Sequence, residues 1–492
     1  MKKFILTSFL ILLISSSISP AIPSIVNTRE LETRIVIGVI TSRTGYYSYY
    51  GDMEINGLIL GLMYELNISD FDIVSPNYRW RLVVGSKEIY IIAKDDINPE
   101  IGEPDPQIAA QMAKELVKRY NAQILLGGIS SITASAIASI AIQHGAVFIA
   151  SPADDRELTG SLFNRHVFQL SSIAWHRAIA AAPYVINLGR KIAFIAPDDP
   201  WGYSEVDCWR AKIEKLGGEV VAVEYVPSMT RDFTEYILRI LASNADNLVL
   251  LWPPITSYIA LKQLALIGVF EEMKIITYLP DLYALNLELP SEILFNLTGL
   301  IEYSWNLLNN SPNTWLVRKY TELYKENHLP AMSNYRPPFP LPDIFVASGF
   351  VVGQAIGKAL EKIDWKVSSD ALIEALEGMT IESPRGLIKI RSRDHRVIQD
   401  MYIAGITWDN MSLSTYYEKP EYLPSIYRDL YKKGVFKAKL LSRVKYVEPP
   451  IEVQIEISPW SLTNLLLILT LILTPIVILV IFFHRKVRSI SK

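Results

Sequence analysis

The sequence predicts an α/β fold, in which two doubly wound lobes lie side by side and one C-terminal helix crosses a membrane. Three observations predict it. Short β-rich runs alternate with longer runs of helical period, which is typical of βαβ units on a parallel sheet. The same plan starts again at Lys191, and a long apolar run lies near the C-terminus. The length of 492 residues suits two lobes of ordinary size.

The composition limits the kinds of molecule that the protein is expected to bind. Half of the residues are hydrophobic, the formal net charge is −3 and Cys208 is the single cysteine. This balanced charge gives no indication of nucleic-acid binding. A single cysteine excludes an internal disulfide, and no cysteine follows the N-terminal apolar stretch to carry a lipid.

The N-terminus indicates export. Lys2 and Lys3 precede an apolar stretch over 4–18, which is the pattern of a secretory signal. We predict a signal peptide over residues 1–25. No clear small-residue cleavage triplet occurs between Ser15 and Ser24, so an uncleaved anchor is the alternative.

The C-terminus predicts a transmembrane helix over 462–483. About 22 uncharged, mostly apolar residues are enough to cross a bilayer core of roughly 30 Å. Trp460 precedes the run and the basic stretch 484–488 follows it, which are the flanks expected at the outer interface and the cytoplasmic side. We therefore expect a stalk over 446–461 and a cytoplasmic tail over 484–492.

The first predicted lobe contains four strands separated by helices. After the first strand, apolar residues repeat at helical spacing from Ile55 to Leu66. Asp105 and Pro106 begin a second helix, because aspartate caps free N–H groups and proline suits the first helical position. A third helix begins at Ser131. The four strands are Ile35–Ile40, Ile89–Ile92, Ile124–Leu126 and Ala146–Ala150.

The second predicted lobe repeats this alternation. Its helices are expected after Tyr203, from Phe233 and after Leu251. Its strands are Ile192–Ala196, Val220–Tyr225, Leu248–Leu251 and Lys274–Thr277. Open α/β sheets bind ligands beyond the carboxyl ends of their strands, so a cleft between the two lobes is the expected site.

Small and hydroxyl-bearing residues follow the strands of the first lobe. They include Ser42 to Gly45, Gly127 to Ser131 and Ser151 to Ala153. Glycine allows close approach to the backbone, and a serine that begins a helix adds a hydroxyl to N–H groups favouring a small anion. The alternatives are that Ser131 only caps its helix and that the tyrosines over 46–50 are ordinary rim packing.

Five blocks in order resemble the extracytoplasmic solute-binding proteins of branched-chain amino acid ABC transporters, which have the type I periplasmic binding protein fold. The similarity runs from about Arg34 to Trp408. The blocks are GVITSRTGYYSYYGDMEINGLILG, DD followed by DPQIAAQMAKELV, GGISSITASAIASIAIQHGAVFIASPADDRELTG, IAFIAPDDPWGYS and GLIKIRSRDHRVIQDMYIAGITW.

The resemblance implies a ligand site and a division of the chain. Ser130 and Ser131 would meet a ligand carboxylate, Ala153 would offer backbone groups, and Tyr50 and Trp201 would be aromatic walls. Asp281 falls near the acidic residue that pairs with a ligand ammonium, although it could instead cap a helix. The first lobe would comprise 33–170 and 303–390, and the second 171–302 and 391–445, with a hinge between them.

Two departures leave the ligand open. Asp155 stands where many relatives have threonine or serine, so it would turn outward or meet a cation rather than a carboxylate. Trp252 and the two following prolines would bring apolar bulk toward the cleft. The expected ligand is therefore an amino acid, an amide, a short peptide or an aromatic acid.

Other functions are less well supported by the residues. No Gly-x-Ser-x-Gly elbow and no P-loop lysine occur, and the six histidines lack metal-ligand spacing. We expect no enzymatic activity, cofactor or metal. The partners expected are an ABC permease and its ATPase subunits. The alternative is a ligand-sensing receptor ectodomain, for which the short tail would require a partner to carry the signal.

Overall fold

The computed structural model describes residues 34–45, 47–75, 78–252, 254–279, 289–332, 340–409 and 435–450. The predicted signal peptide, transmembrane helix and tail, most of the stalk, and Asp281 lie outside these ranges. Within them the chain forms two sheets, each with helices packed on both faces. The predicted α/β fold of two lobes is confirmed, and the C-terminal transmembrane helix stays a prediction.

The first sheet has seven strands in the order β2-β3-β4-β1-β5-β6-β7. The strands from β4 to β7 are parallel, and β2 and β3 form an antiparallel edge. The strands are β1 (Arg34–Thr41), β2 (Asp72–Ser75), β3 (Arg79–Val84), β4 (Lys87–Asp95), β5 (Ile124–Gly127), β6 (Val147–Ala150) and β7 (Val167–Gln169).

Both faces of this sheet are buried, which explains why β1 is apolar throughout. Ile35, Ile37 and Val39 pack into the core on one face, whereas Val36 and Ile40 pack on the other. A strand covered on both faces needs apolar side chains in both directions. The helices between these strands are α1 (Ser48–Glu65), α2 (Pro106–Tyr120) and α3 (Ser131–His144).

The second sheet has nine strands. Its parallel part runs β9-β8-β10-β11-β12, and β15 continues it in the antiparallel direction, pairing also with β14 and β16. The strands are β8 (Lys191–Pro197), β9 (Glu219–Val226), β10 (Asn247–Leu250), β11 (Lys274–Tyr278), β12 (Thr298–Ile301), β13 (Thr380–Ser383), β14 (Gly386–Ile390), β15 (Val397–Asp409) and β16 (Val435–Val447).

Among the residues that the structure describes, six helices accompany the parallel part of the second sheet, and three more return to the first lobe. The six are α4 (Ala174–Leu188), α5 (Pro200–Lys215), α6 (Thr234–Ala242), α7 (Pro254–Ile267), α8 (Val269–Glu272) and α9 (Ser291–Leu294). The three are α10 (Ser311–Lys325), α11 (Ile344–Lys362) and α12 (Ser369–Leu376), whose apolar residues join the core around α1.

Among the described residues, α11 is the one helix that is long and apolar enough to span a membrane. Of its most apolar window, 89% is buried inside the protein. It packs along α1, so its hydrophobicity is explained by its place in the core of the first lobe.

Candidate functional site

The carboxyl ends of the central strands of the first lobe meet at one edge. Gly127 pairs with Ile40 on one side and with Ala150 on the other, so β1, β5 and β6 end together. Gly127 has φ +134°, and a Cβ there would lie 1.8 Å from the Ile40 carbonyl oxygen. Only glycine fits this position, and it brings the loop that leads into α3 close to the sheet.

Ser130, rather than Ser131, caps α3. The Ser130 hydroxyl accepts a hydrogen bond from the Thr133 N–H at 3.3 Å, and Ser131 is the first helical residue. The alternative that Ser131 only caps its helix is therefore wrong. Ser131 is half-buried, and its hydroxyl makes no hydrogen bond within the described part of the chain.

Ala153 and Asp155 lie in the loop after β6, and both are bound to the first lobe. The carbonyl of Ala153 accepts hydrogen bonds from Gln169 Nε2 at 3.2 Å and from the Ser171 hydroxyl. The Asp155 carboxylate accepts from the Glu157 N–H at 2.9 Å and from Ser135 Oγ at 3.3 Å. Burial raises the pKa of Asp155, and these contacts oppose that rise.

Tyr50 is 4% exposed and stacks on Phe345, with ring centroids 3.9 Å apart. The neighbouring Tyr49 donates a hydrogen bond to Asp343 Oδ2 at 2.6 Å, and Asp343 caps α11. These tyrosines join α1 to the start of α11. Trp252 is likewise a core residue, packed edge-on against Phe233 at 4.9 Å, and does not bring apolar bulk to the cleft.

Trp201 reaches across to the first lobe. It lies at the start of α5, which Asp199 caps by accepting from the Gly202 N–H at 2.8 Å. Its indole Nε1 donates to Asp154 Oδ2 at 3.0 Å. The side chain of Trp201 thus bonds to the opposite lobe, and its partner is Asp154 rather than Asp155.

Arg177 completes this contact between the lobes. It projects from α4, and its Nη2 donates to Asp154 Oδ2 and to Glu205 on α5. Its Nε lies 3.1 and 3.2 Å from the two Glu205 oxygens. Burial, together with Glu205, raises the pKa of Asp154 to about 8 against the opposing effect of Arg177.

The contact continues into the connections between the lobes. Arg177 Nη1 donates to Ser172 Oγ at 2.9 Å, and Ser172 donates to Glu302. Arg385 Nη2 donates to Glu302 Oε2 at 2.6 Å. Although burial alone would raise it, the Arg385 guanidinium and the Ser172 hydroxyl keep the pKa of Glu302 below its usual value.

Sequence reasoning missed Asp154, Arg177 and Glu205. The available signals were the acidic pair at 154–155, of which we singled out the second member, and an arginine in the otherwise apolar start of α4. A charged residue among alanines in a buried helix requires a partner. The described residues contain no group of three or more metal-ligating side chains.

Two lobes that meet over the carboxyl ends of their strands, with polar groups from both at the contact, define a two-lobed binding protein. The chain belongs to the family described as periplasmic binding protein, whose model matches residues 34–410. A relative from Brucella suis, Leu/Ile/Val-binding protein homolog 6, is 23% identical over 339 residues, which are 68% of this chain and 81% of the relative.

Solved structures have the same fold. An ABC-type branched-chain amino acid transporter from Rhodopseudomonas palustris aligns with TM-score 0.63 and 23% identity, over 85% of this chain and 99% of the other. A solute-binding protein from that species, in complex with 3,4-dihydroxybenzoic acid, aligns with TM-score 0.65 and 20% identity over the same shares.

A third structure, the leucine-, isoleucine-, valine-, threonine- and alanine-binding protein of Brucella ovis in its closed conformation, aligns with TM-score 0.66 and 17% identity, over 85% of this chain and 97% of the other. The predicted resemblance is confirmed by the family match. So is the prediction of a binding protein rather than an enzyme, because the family is described as one of periplasmic binding proteins.

Proposed function

We propose that this chain is the membrane-anchored, extracytoplasmic solute-binding component of an ABC importer. The observation that carries the proposal is the meeting of the two lobes over the strand ends, where Trp201 of the second lobe bonds to the first. A solute enters between the lobes, is enclosed when they close, and is delivered to a permease that works with ATPase subunits. The helix at 462–483 keeps the binder at high local concentration over that permease.

The proposed solute is an amino acid or a similar small molecule with a carboxylate. Supporting this, the related structures are named for amino acids and for hydroxybenzoic acids, which share that group. Ser131 supplies a hydroxyl beside the first N–H groups of α3, where a small anion is favoured.

The residues proposed around the solute are those implied by the family, with their surroundings now specified. Ser130 holds the loop and the start of α3, and Ser131 meets the carboxylate. Ala153 and Asp155 shape the opposite loop, and Trp201 covers the solute from the second lobe. Tyr50 supports the site from below through its stacking on Phe345, and Asp281 pairs with an ammonium group.

A thermal-shift screen of the full chain against amino acids, amides, short peptides and aromatic acids tests the proposal, because a solute that binds only the native state raises the melting temperature. We expect at least one carboxylate-bearing class to do so. If none of the four classes shifts the transition while the chain is folded, the proposed function is wrong.

The pair Ser130 and Ser131 then tests the site. We expect Ser131→Ala to weaken binding of the identified solute by about 1–3 kcal/mol, the range for leaving a polar group unpaired, with little loss of stability. Ser130→Ala is the matched control. It removes the helix cap and is expected to cost about 1 kcal/mol of stability.

Titration calorimetry and thermal unfolding separate the two effects. Unchanged affinity in Ser131→Ala would remove Ser131 from the site, whatever the result for Ser130→Ala.

A further inference from the structure

One contact between the lobes is made by charged groups of the protein itself. Asp154 follows Ala153, which is buried in the core of the first lobe. Arg177 lies between Ala174 and Ala178, which are buried in the core of the second. The ion pair of Asp154 with Arg177 therefore joins the two lobes directly.

Arg177 is prepared for this contact by its own lobe. It is 2% exposed, and Glu205, which is fully buried, provides a carboxylate along its Nε edge. The Ser172 hydroxyl oxygen accepts a hydrogen bond from Arg177 Nη1 at 2.9 Å. Glu205 and Ser172 therefore fix the planar guanidinium of Arg177, and its remaining Nη2 donor points in one direction. Little side-chain entropy of Arg177 is lost when a carboxylate binds there.

Separation of the lobes would change the surroundings of Asp154 more than those of Arg177. Arg177, Glu205 and Ser172 all belong to the second lobe, so a separation of the lobes as rigid bodies would leave their bonds intact. Asp154 loses both Arg177 and the indole N–H of Trp201, which is 3.0 Å away. Separation would thus break the charge-assisted bond from Arg177 and the bond from Trp201 without leaving a buried cation unpaired.

We propose that Asp154 and Arg177 are positioning residues for lobe closure, forming a latch that populates the closed arrangement before any solute is bound. This inference deepens the proposed function and rests on it. The solute then has to stabilise a form that is already present rather than create it. The latch also explains why Asp154 is aimed at α4 and α5 instead of at the strand ends of its own lobe.

Distance measurements between spin labels on the full chain, with no solute present, test the latch. Ile101→Cys in the first lobe and Met229→Cys in the second provide label sites, since these side chains are 66% and 75% exposed and follow strands at the cleft edge. Cys208 is buried. Spin labelling of a chain without the two added cysteines shows whether Cys208 stays unlabelled.

We expect wild type to show a short-distance population and Asp154→Asn to reduce its ratio to the long-distance population by at least about tenfold, as expected for loss of a charge-assisted bond. The distances are measured above pH 8, where the Asp154 carboxyl group is charged. Asparagine retains an acceptor for Trp201, so the loss reports on that charge. Arg177→Gln combined with Glu205→Gln removes the same contact without leaving Glu205 charged. Arg165→Gln, which breaks an exposed pair with Asp370 within the first lobe, is the matched control and should leave the distribution unchanged.

Two results would overturn the latch: wild type showing only the long distance, or Asp154→Asn giving the wild-type distribution while thermal unfolding shows it is folded. Both are read without a solute. If no solute class shifts the melting temperature, the proposed function is wrong. The distance measurement still decides separately whether the contact between Asp154 and Arg177 holds the lobes closed.

Discussion

Two carboxyl groups, Glu54 and Asp96, are buried beneath the strand ends of the first lobe. Thr41 Oγ1 donates to Glu54 at 3.2 Å, and Ser42 Oγ donates to Asp96 at 2.7 Å. Burial raises the pKa of both, to about 6 for Asp96 and well above its ordinary value for Glu54, whose rise the Asp96 charge also supports. The strand ends therefore rest on hydroxyl and carboxyl groups that hold protons readily.

The raised pKa of Asp96 predicts a stability that falls as pH rises. A pKa of about 6 in the folded chain against 3.8 ordinarily corresponds to about 3 kcal/mol in favour of the protonated form. That contribution is fully present below about pH 4 and is lost as pH rises through 6. Urea unfolding between pH 4 and 7 should show this loss in wild type.

Asp96→Asn is the control for this prediction, because its amide cannot ionise but can still accept from Ser42. The difference in the free energy of unfolding between the two proteins should change by about 3 kcal/mol over that range. A difference that is constant with pH would show that Asp96 does not titrate there.

At the scale of residues, local contacts such as helix caps could be predicted from the sequence, whereas contacts between the lobes could not. Asp105 caps α2 as its position before a proline predicts, accepting from the Gln107 N–H at 2.7 Å. The contact of Asp154 with Arg177 depends on how the lobes approach each other. Nothing within either segment fixes that approach.

At the scale of elements, most strands and helices of the two series were predicted within a few residues. The helix expected after Tyr203 instead begins at Pro200, because Asp199 and Pro200 repeat the capping pattern of Asp105 and Pro106. The edge strands β2 and β3 were missed. No residue of β2 is buried, and in β3 only Trp80 and Leu82 are, so neither strand has the continuous apolar run that marks a strand buried on both faces.

Close packing of α1 against α11 depends on glycine. A Cβ at Gly353 would lie 2.4 Å from the Leu58 carbonyl oxygen and 2.7 Å from the Leu62 backbone nitrogen. We expect Gly353→Ala to lower the free energy of unfolding by about 1–3 kcal/mol, although alanine is the better helix former, because overpacking forces the helix backbones apart. Denaturant unfolding measures it.

Gly357, one turn later on α11, provides the matched control. A Cβ there would lie 3.0 Å from side-chain atoms of Glu65, which can shift by a few tenths of an ångström. Gly357→Ala should therefore cost clearly less than Gly353→Ala. Equal losses in the two variants would mean that helix separation is not what Gly353 controls.

At the scale of the whole molecule, β15 belongs to both lobes. Val397, at its start, pairs with Ile390 of β14 and lies in the first-lobe core, whereas Ile403 pairs with Leu300 of the second-lobe sheet. The proposed division at 33–170, 171–302, 303–390 and 391–445 stays a prediction, and Val397 shows that the first-lobe core also takes a residue from the last of these segments. A strand shared in this way lets the lobes move relative to each other while both keep their sheets intact.

The last described residues lie beside this shared strand. Arg391 Nη1 donates to Glu448 Oε1 at 3.2 Å and to the Pro449 carbonyl at 2.6 Å. Residues 446–447 belong to β16, so the first part of the proposed stalk lies on the body. Residues 448–449 are thus close to the connections between the lobes, and a membrane anchor that follows them would leave both lobes able to move.

This arrangement predicts a topology in which residues from about 26 to 459 lie outside the cytoplasm and 484–492 lie inside. The loop from Asp96 to Asp105 is a suitable place for an epitope, since Ile101 within it is 66% exposed. Protease added to intact cells should remove an epitope in this loop and spare one at the C-terminus. The basic residues after the apolar run favour that orientation.

Permeabilised cells are the control, because the protease should then remove both epitopes. Protection of the loop together with digestion of the C-terminus would reverse the orientation. Release of the folded chain from washed membranes by high salt would show that 462–483 does not span the bilayer, because an inserted apolar helix is held by hydrocarbon contacts that salt does not weaken.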